Sequence, residues 1–460
     1  MFRATTKQVT DRNFRPGHRA LLLLGLVVFV ACMQWCYINW LSLKFDFYGF
    51  EYTPPGVAYL ILAWVLSLVP GLWMPLSLSR PSQLVYWMLY LTVFIPSMFI
   101  PLFVRLNEPP KISGLMLTLF VGFAICGTSY LFPLRTFRTP NLKKAKFWGL
   151  LGFLTVTFSL VVISAYHSTM RLVSFEDIYE LRNESIDKGA LVNYSTMWLY
   201  GAFYPLLVGW GLYYKRIWLF LAGTAGQVLI YASFGTKASL LSVVFAVMFY
   251  FLFRFGSFPF GSKLTWGVAV LFLIVCLSVA FVDEIYPLQF VTASLVSMRT
   301  FGLPGLLTAQ YYYFIQANPF TYYGHVKGLS LLIHNPYQDL LGTVVGYYFY
   351  FPLIDATAHL WATDGLAALG LPGVLLISGV CAFVFWLLDS ATQKHDPRLV
   401  ALVITYGAMN ICSIGFFTTL LSGGLALLIL LLYLTPPEEG PQFDVPGFRR
   451  PSASSVQHPA

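Results

Sequence analysis

The chain has 460 residues, of which 58% are hydrophobic and only 10% charged, with a mean hydropathy of +0.71; an average soluble domain carries about 25% charged residues. This excludes a water-soluble enzyme and reads as one membrane domain of many helices. The net charge of +9 is scattered over short segments between apolar runs, which argues against a nucleic-acid surface.

The first apolar run, from about Ala20 to Leu41, is too long for the core of a signal peptide and lacks a small-residue cleavage site, so it reads as a retained first helix. Further runs of spanning length fall near 56–78, 83–104, 112–132, 147–166, 194–213, 217–234, 238–253, 264–282, 365–388, 399–415 and 418–434. The expected fold is therefore an all-α polytopic membrane protein of about 12 transmembrane helices. The final apolar stretch is split because Ser413, Gly415 and Thr418 offer a place to turn. With the N-terminus inside, only Lys44, Arg105, Lys111, Arg171, Arg182, Lys188, Lys237, Arg299 and Lys327 among the 28 basic residues lie outside. The rest occupy short inner loops, as the positive-inside rule requires. Residues 1–434 form a single transmembrane domain on this reading. The Pro-rich polar tail 435–460 is expected to be disordered, with both termini cytoplasmic. No internal repeat is evident.

Two polar stretches interrupt the apolar chain, and both fall outside: a third loop, 167–193, and a fifth loop, 283–364. In the third loop Phe175, Ile178, Leu181 and Ile186 suit one side of a short amphipathic helix lying on the membrane. The fifth is rich in Tyr, Phe, Pro and Gly and is expected to fold as short helices at the bundle mouth. All six cysteines lie in apolar runs without metal-ligand spacing, so neither a disulfide framework nor a metal site is expected, and no cofactor.

Chemistry at the outer face starts with its cations. Arg171, Arg182, Lys237 and Arg299 come from separate outer segments. Several cationic donors converging on one point suit a pyrophosphate, and arginine's planar fork can hold two oxygens at once. The competing reading is that they snorkel to lipid headgroups. His359, in TAHLWATDGLAALGLPG, lies just before the tenth span, near the membrane surface. It is either a base for a sugar hydroxyl, with Asp355 or Asp364 orienting it, or a histidine satisfying a helix end. Gly365, Gly370 and Gly373 suggest tight packing of the helix that follows. Tyr312 and Tyr313, within AQYYYF, are candidates for stacking on sugar rings or for plain packing. His325 and His334 read as structural. Asp283 and Glu284 read as a solvated acidic pair.

These residues resemble those of the bacterial Wzy-type O-antigen and oligosaccharide repeat-unit polymerases, and more distantly the O-antigen ligases. MRTFGLPGLLTAQYYYF is similar to the segment opening the fifth loop in the polymerases. The run from His359 to Gly370 and Gly373 is similar to an element near that loop's end, and GTKAS to a Gly-Ser-Arg element between two spans. Lys237 stands where that element carries arginine, and Leu360 where ligases carry a small polar residue, which favours polymerase. The resemblance implies a metal-independent GT-C-like glycosyltransferase of the inner membrane with large third and fifth periplasmic loops. It implies undecaprenyl-diphosphate-linked oligosaccharides as donor and acceptor, membrane lipid around them, and a chain-length regulator and a flippase as possible partners. Arg182, Arg299 and Lys237 would hold the pyrophosphate and His359 would act on the attacking hydroxyl. The rival readings are an O-antigen ligase and a lipid-linked oligosaccharide flippase.

Overall fold

The structure is a computed structural model that describes residues 16–138, 142–173, 188–254, 256, 258–281, 287–350 and 355–438. Among these residues every regular element is helical. Ten helices are long and apolar enough to cross a membrane: α1 (Gly17–Lys44), α3 (Ser82–Val104), α4 (Pro109–Leu131), α5 (Lys144–Tyr166), α7 (Ile217–Phe234), α8 (Lys237–Arg254), α9 (Phe260–Ala280), α10 (Gln289–Ala317), α12 (Trp361–Ala391) and α15 (Phe416–Leu434). Between them lie α6 (190–213), interrupted by a π-helical stretch, and the shorter α2 (Val57–Leu72), α11 (Leu341–Phe349), α13 (Pro397–Val403) and α14 (Thr405–Ile411).

Nine of the ten match spans expected from hydropathy. The expected spans at 56–78, 194–213 and 399–415 are helical as well, but α2 is short, α6 contains a π-helical stretch, and the last is divided between α13 and α14. The tenth long helix, α10, lies inside the expected fifth outer loop, where only short helices are anticipated.

Contacts between helices define two ends of the bundle. At the lower end Ser262 meets His18, and Ser82 meets Asp389. At the upper end Arg171 meets Ala232, and Thr53 meets Phe103. The described chain begins and finishes at the lower end, where Glu438 pairs with Arg216 at 3.0 Å. Residues 435–438, expected in the disordered tail, are thus docked, and Thr435 is fully buried. α3 is the central helix, buried almost throughout, whereas α5 is mostly exposed along an apolar face. Around α3, Tyr86 and Phe94 each stack on Phe123, with Trp361 edge-on to Phe94 and Phe123.

The basic residues of the lower end have a local reason to be there. A helix leaves its last carbonyls without intrahelical partners, and they carry partial negative charge. Arg19 donates to Gly71 and Met74 O at the end of α2 (2.8 and 2.7 Å). Arg80 donates to Ser129 O and Phe132 O where α4 ends (3.1 and 3.2 Å). Lys263 donates to Leu252 O of α8, and Lys394 and His395 reach Tyr433 and Leu432 O of α15.

Two segments of the upper end dip into the bundle and return. α10 starts with Phe290 against Trp40 and Phe45 and ends with Gln316 bonded to Asn107 and Lys111, all at the upper end. Between them Phe301 packs on Phe29 and Phe272 (centroids 5.5 and 4.8 Å), about three turns deeper along α1 than Trp40. The π-helical turns Ser294–Gly302, followed by Pro304, account for the bend. The second segment descends from Asp355 to Leu360, climbs as the short arm of α12, breaks at Leu369 and Gly370, and descends again as the long arm. The break is possible because Gly370 adopts φ +68°. The arms touch: Trp361 Nε1 donates to Ser378 Oγ at 2.9 Å.

Candidate functional site

The re-entrant segments meet in a polar core that begins with helix geometry. Three π-helical stretches, Tyr37–Leu41, Leu89–Phe94 and Trp361–Leu366, pack around α10, which contains a fourth, Ser294–Gly302. Such stretches are rare in helices and frequent at functional sites, because the wider turn shifts side chains and releases a backbone group. Hydropathy carries no trace of them.

At the centre stands His359, 1% exposed. Its Nε2 faces Thr308 Oγ1 at 2.9 Å and Pro304 O at 3.2 Å. A carbonyl accepts only, so this nitrogen is assigned the proton. Thr308 Oγ1 also bonds Ser97 Oγ at 2.8 Å, which extends the chain onto α3. The Nδ1 of His359 has no hydrogen-bond partner among the described residues. His359 therefore lies inside the bundle, not near the surface where the sequence reading puts it. Its carbonyl accepts from the Ala362 and Thr363 amides at the start of α12, while its side chain joins α10 to the second re-entrant segment.

Neither carboxylate expected to orient His359 does so. Asp355 accepts from the backbone and hydroxyl of Thr357 in an exposed turn. Asp364, 1% exposed, accepts from the Phe416 amide at the start of α15 and faces His325 Nε2 at 3.4 Å. The other nitrogen of His325 lies 2.7 Å from Thr321 Oγ1. Thr321 is fully buried, so this group clamps the connection over α12. His325 thus ties the connection to Asp364 at the start of α12.

Among the described residues the expected cations sit on three segments: 170–173, the start of α8, and α10. The Arg171 amide donates to Ala232 O at 3.1 Å, and Tyr231 Oη donates to Val173 O at 2.7 Å. These bonds lay residues 170–173 on the end of α7, immediately before the Gly235–Thr236 turn that opens α8 at Lys237. Arg171 is exposed and Lys237 half-buried. Gly235 has φ +65°, a conformation that glycine adopts freely. Arg299 is exposed on the π-helical part of α10, two residues before the buried Phe301. Arg182, Asp283, Glu284 and the expected amphipathic helix of the third loop lie outside the described residues.

The tyrosines divide as well. Tyr312 is buried and donates to Lys111 O at 3.3 Å, which makes it a packing residue. Tyr313 is 37% exposed and joins Tyr348 and Phe349 in an aromatic cluster at the upper end.

Two shallow apolar grooves flank the contact of α5 with α6. One, of about 490 Å³, is lined by Thr157, Leu160, Val161, Ser164, Ala165 and Val192. The other, of about 360 Å³, includes Phe158, Leu191, Tyr194 and Trp198. Both open near the upper end, below residues 170–173. Among the described residues no three His, Cys, Asp or Glu side chains are grouped to hold a metal ion.

The fold and this core define a polytopic helical membrane protein with two re-entrant segments entering from one end. No protein-family model, characterised protein or solved structure matches the chain.

Proposed function

We propose that this protein is a membrane glycosyltransferase that polymerises undecaprenyl-diphosphate-linked oligosaccharide repeats at the periplasmic face of a bacterial inner membrane. The upper end is then periplasmic and both termini are cytoplasmic. The observation that supports this reading is the docking of residues 170–173 on the end of α7. It sets Arg171 beside the Lys237 turn, above apolar grooves on α5 and α6. Cations over apolar grooves suit an amphiphile with an anionic head and a long hydrocarbon tail.

In the reaction, the terminal hydroxyl of one lipid-linked repeat attacks the anomeric carbon of another. The bond from that carbon to the diphosphate oxygen breaks, the lipid diphosphate leaves with the bonding electrons, and the hydroxyl proton passes to water at the periplasmic mouth. Arg171, Arg182, Lys237 and Arg299 neutralise the charge that develops on it. His359 is a positioning residue in this scheme. Sealed between Thr308 and Pro304, it holds α10, and with it Arg299, against the second re-entrant segment. Tyr313 replaces Tyr312 as the residue open to a sugar.

The test is to incubate the purified protein in nanodiscs with its host's lipid-linked repeat and separate the products on a gel. A ladder of increasing length, abolished in Arg299→Ala protein that remains monodisperse, supports the reading. An unchanged ladder in that variant removes Arg299 from the site. No ladder, with substrate crossing a liposome membrane instead, makes the protein a transporter. Transfer of finished glycan to a lipid A core acceptor makes it a ligase.

A further inference from the structure

The connection between α10 and α11 carries a feature that this reaction does not use. Its first part is tied down. Thr321 and Tyr322 donate their amides to Ala367 and Ala368 O at 2.9 and 3.1 Å, capping the short arm of α12 at its break, and His325 faces Asp364. Its second part is not buried. After Gly328 a single turn, Leu329–Leu331, presents Leu331 and Leu332 at 87% and 85% exposure. Burying a leucine side chain is worth about 1.5–3 kcal/mol, so two adjacent ones held out in water are costly.

The neighbours of this turn locate it at the rim of the bundle. Lys327, just before it, places its ammonium 5.7 Å from the centre of the Tyr194 ring. Tyr194 stands near the upper end of α6 and lines the smaller groove with Phe158, Leu191 and Trp198. The adjoining α5 exposes Leu150, Phe153, Val156, Leu160 and Ile163 in a continuous apolar face, which in a spanning helix faces lipid. The leucine turn therefore hangs beside lipid-facing helices and not over the re-entrant core. A lysine and a tyrosine beside exposed leucines form the usual pattern of an interfacial segment, with the polar tips at headgroup level and the apolar groups below.

We propose that residues 328–333 are an interfacial anchor: Leu331 and Leu332 insert into the acyl chains of the upper leaflet at the mouth of the groove between α5 and α6, with Lys327 at the level of the lipid phosphates. The partner is the bilayer itself, and the claim stands independently of the polymerase reading.

The test places a nitroxide on Leu331→Cys and, in a separate sample, on Gln338→Cys, an exposed polar position in the same connection. Full-length protein is used in lipid nanodiscs. Five of the six native cysteines are buried and Cys32 is half-buried, and wild-type protein treated identically supplies the background. At residue 331, relaxation by oxygen, which concentrates in lipid, is expected to exceed relaxation by an aqueous nickel chelate; at 338 the order is reversed. Nickel-dominated relaxation at 331 overturns the proposal. So does dipolar broadening between labels at 331, which would mean that a second copy of the chain covers the turn. Because Leu331 is exposed, loss of folding does not confuse the reading. Lys327→Glu is expected to lower the oxygen preference at 331, and no change removes the lysine from the anchor.

Discussion

Gly373→Ala tests the hairpin on which the candidate site rests. A β-carbon at residue 373 would stand 2.2 Å from the Gly365 carbonyl oxygen and 3.0 Å from its carbon. Both are backbone atoms, so no side chain can swing aside, and the arms of α12 must separate by about 1 Å to restore an ordinary contact. Separation also draws Trp361 Nε1 away from Ser378 Oγ, now at 2.9 Å. Overpacking costs about 1–3 kcal/mol and a lost buried hydrogen bond about 1 kcal/mol, so the variant is expected to lose about 3 kcal/mol. Gly379 is the control. It lies on the long arm of the same helix with nothing within 4 Å of its would-be β-carbon. Gly379→Ala is therefore expected to be neutral or to stabilise by about 0.5–1 kcal/mol, since alanine loses less backbone entropy on folding. Equilibrium unfolding of the two variants in one detergent, followed by tryptophan fluorescence, gives the comparison. If both shift stability equally, the close approach of Gly365 and Gly373 is not what holds the hairpin.

Two further tests concern the lower end. Arg19→Ala removes the donor to Gly71 and Met74 O and is expected to cost about 1–2 kcal/mol, partly recovered by Arg19→Lys; a thermal midpoint in detergent equal to wild type would refute the capping role. Burial pushes the imidazole of His395 down to about 4 from its usual 6.5, with the hydrogen bond to Leu432 O opposing the shift. The unfolded chain binds the proton first as pH falls, so stability present above pH 6.5 is lost between 6.5 and about 4. The loss is on the order of 3 kcal/mol, from 2.5 pH units at about 1.36 kcal/mol each. His395→Gln is expected to flatten that part of the curve, and an unfolding difference from wild type that is the same at about pH 7.5 and about pH 4.5 would refute it.

Much of the helical layout was legible in residue types, because a spanning helix must be apolar for about 20 residues. The return of α10 was not. A crossing helix and a re-entrant one are equally apolar, and α10 is separated from a crossing only by contacts such as Phe301 between Phe29 and Phe272, which leave no local pattern. His359 shows the same division. The tight turn after it could be read from Gly365, Gly370 and Gly373, since close backbone approach demands glycine. Its partner could not, because Thr308 lies 51 residues away, while the nearer Asp364 turns to His325 and α15. The cations of the lower end join the two levels. Hydropathy reading uses them as a label of sidedness, and in the structure Arg19, Arg80, Lys263 and Lys394 answer the open carbonyls of helices that finish there. The upper end of those same helices presents N–H groups, which a cation cannot satisfy. The other helices, α1, α3, α5, α7 and α9, finish at the upper end and leave their carbonyls there, so a lipid diphosphate assay, and not position along the bundle, separates a cap from a ligand site for Arg171, Lys237 and Arg299.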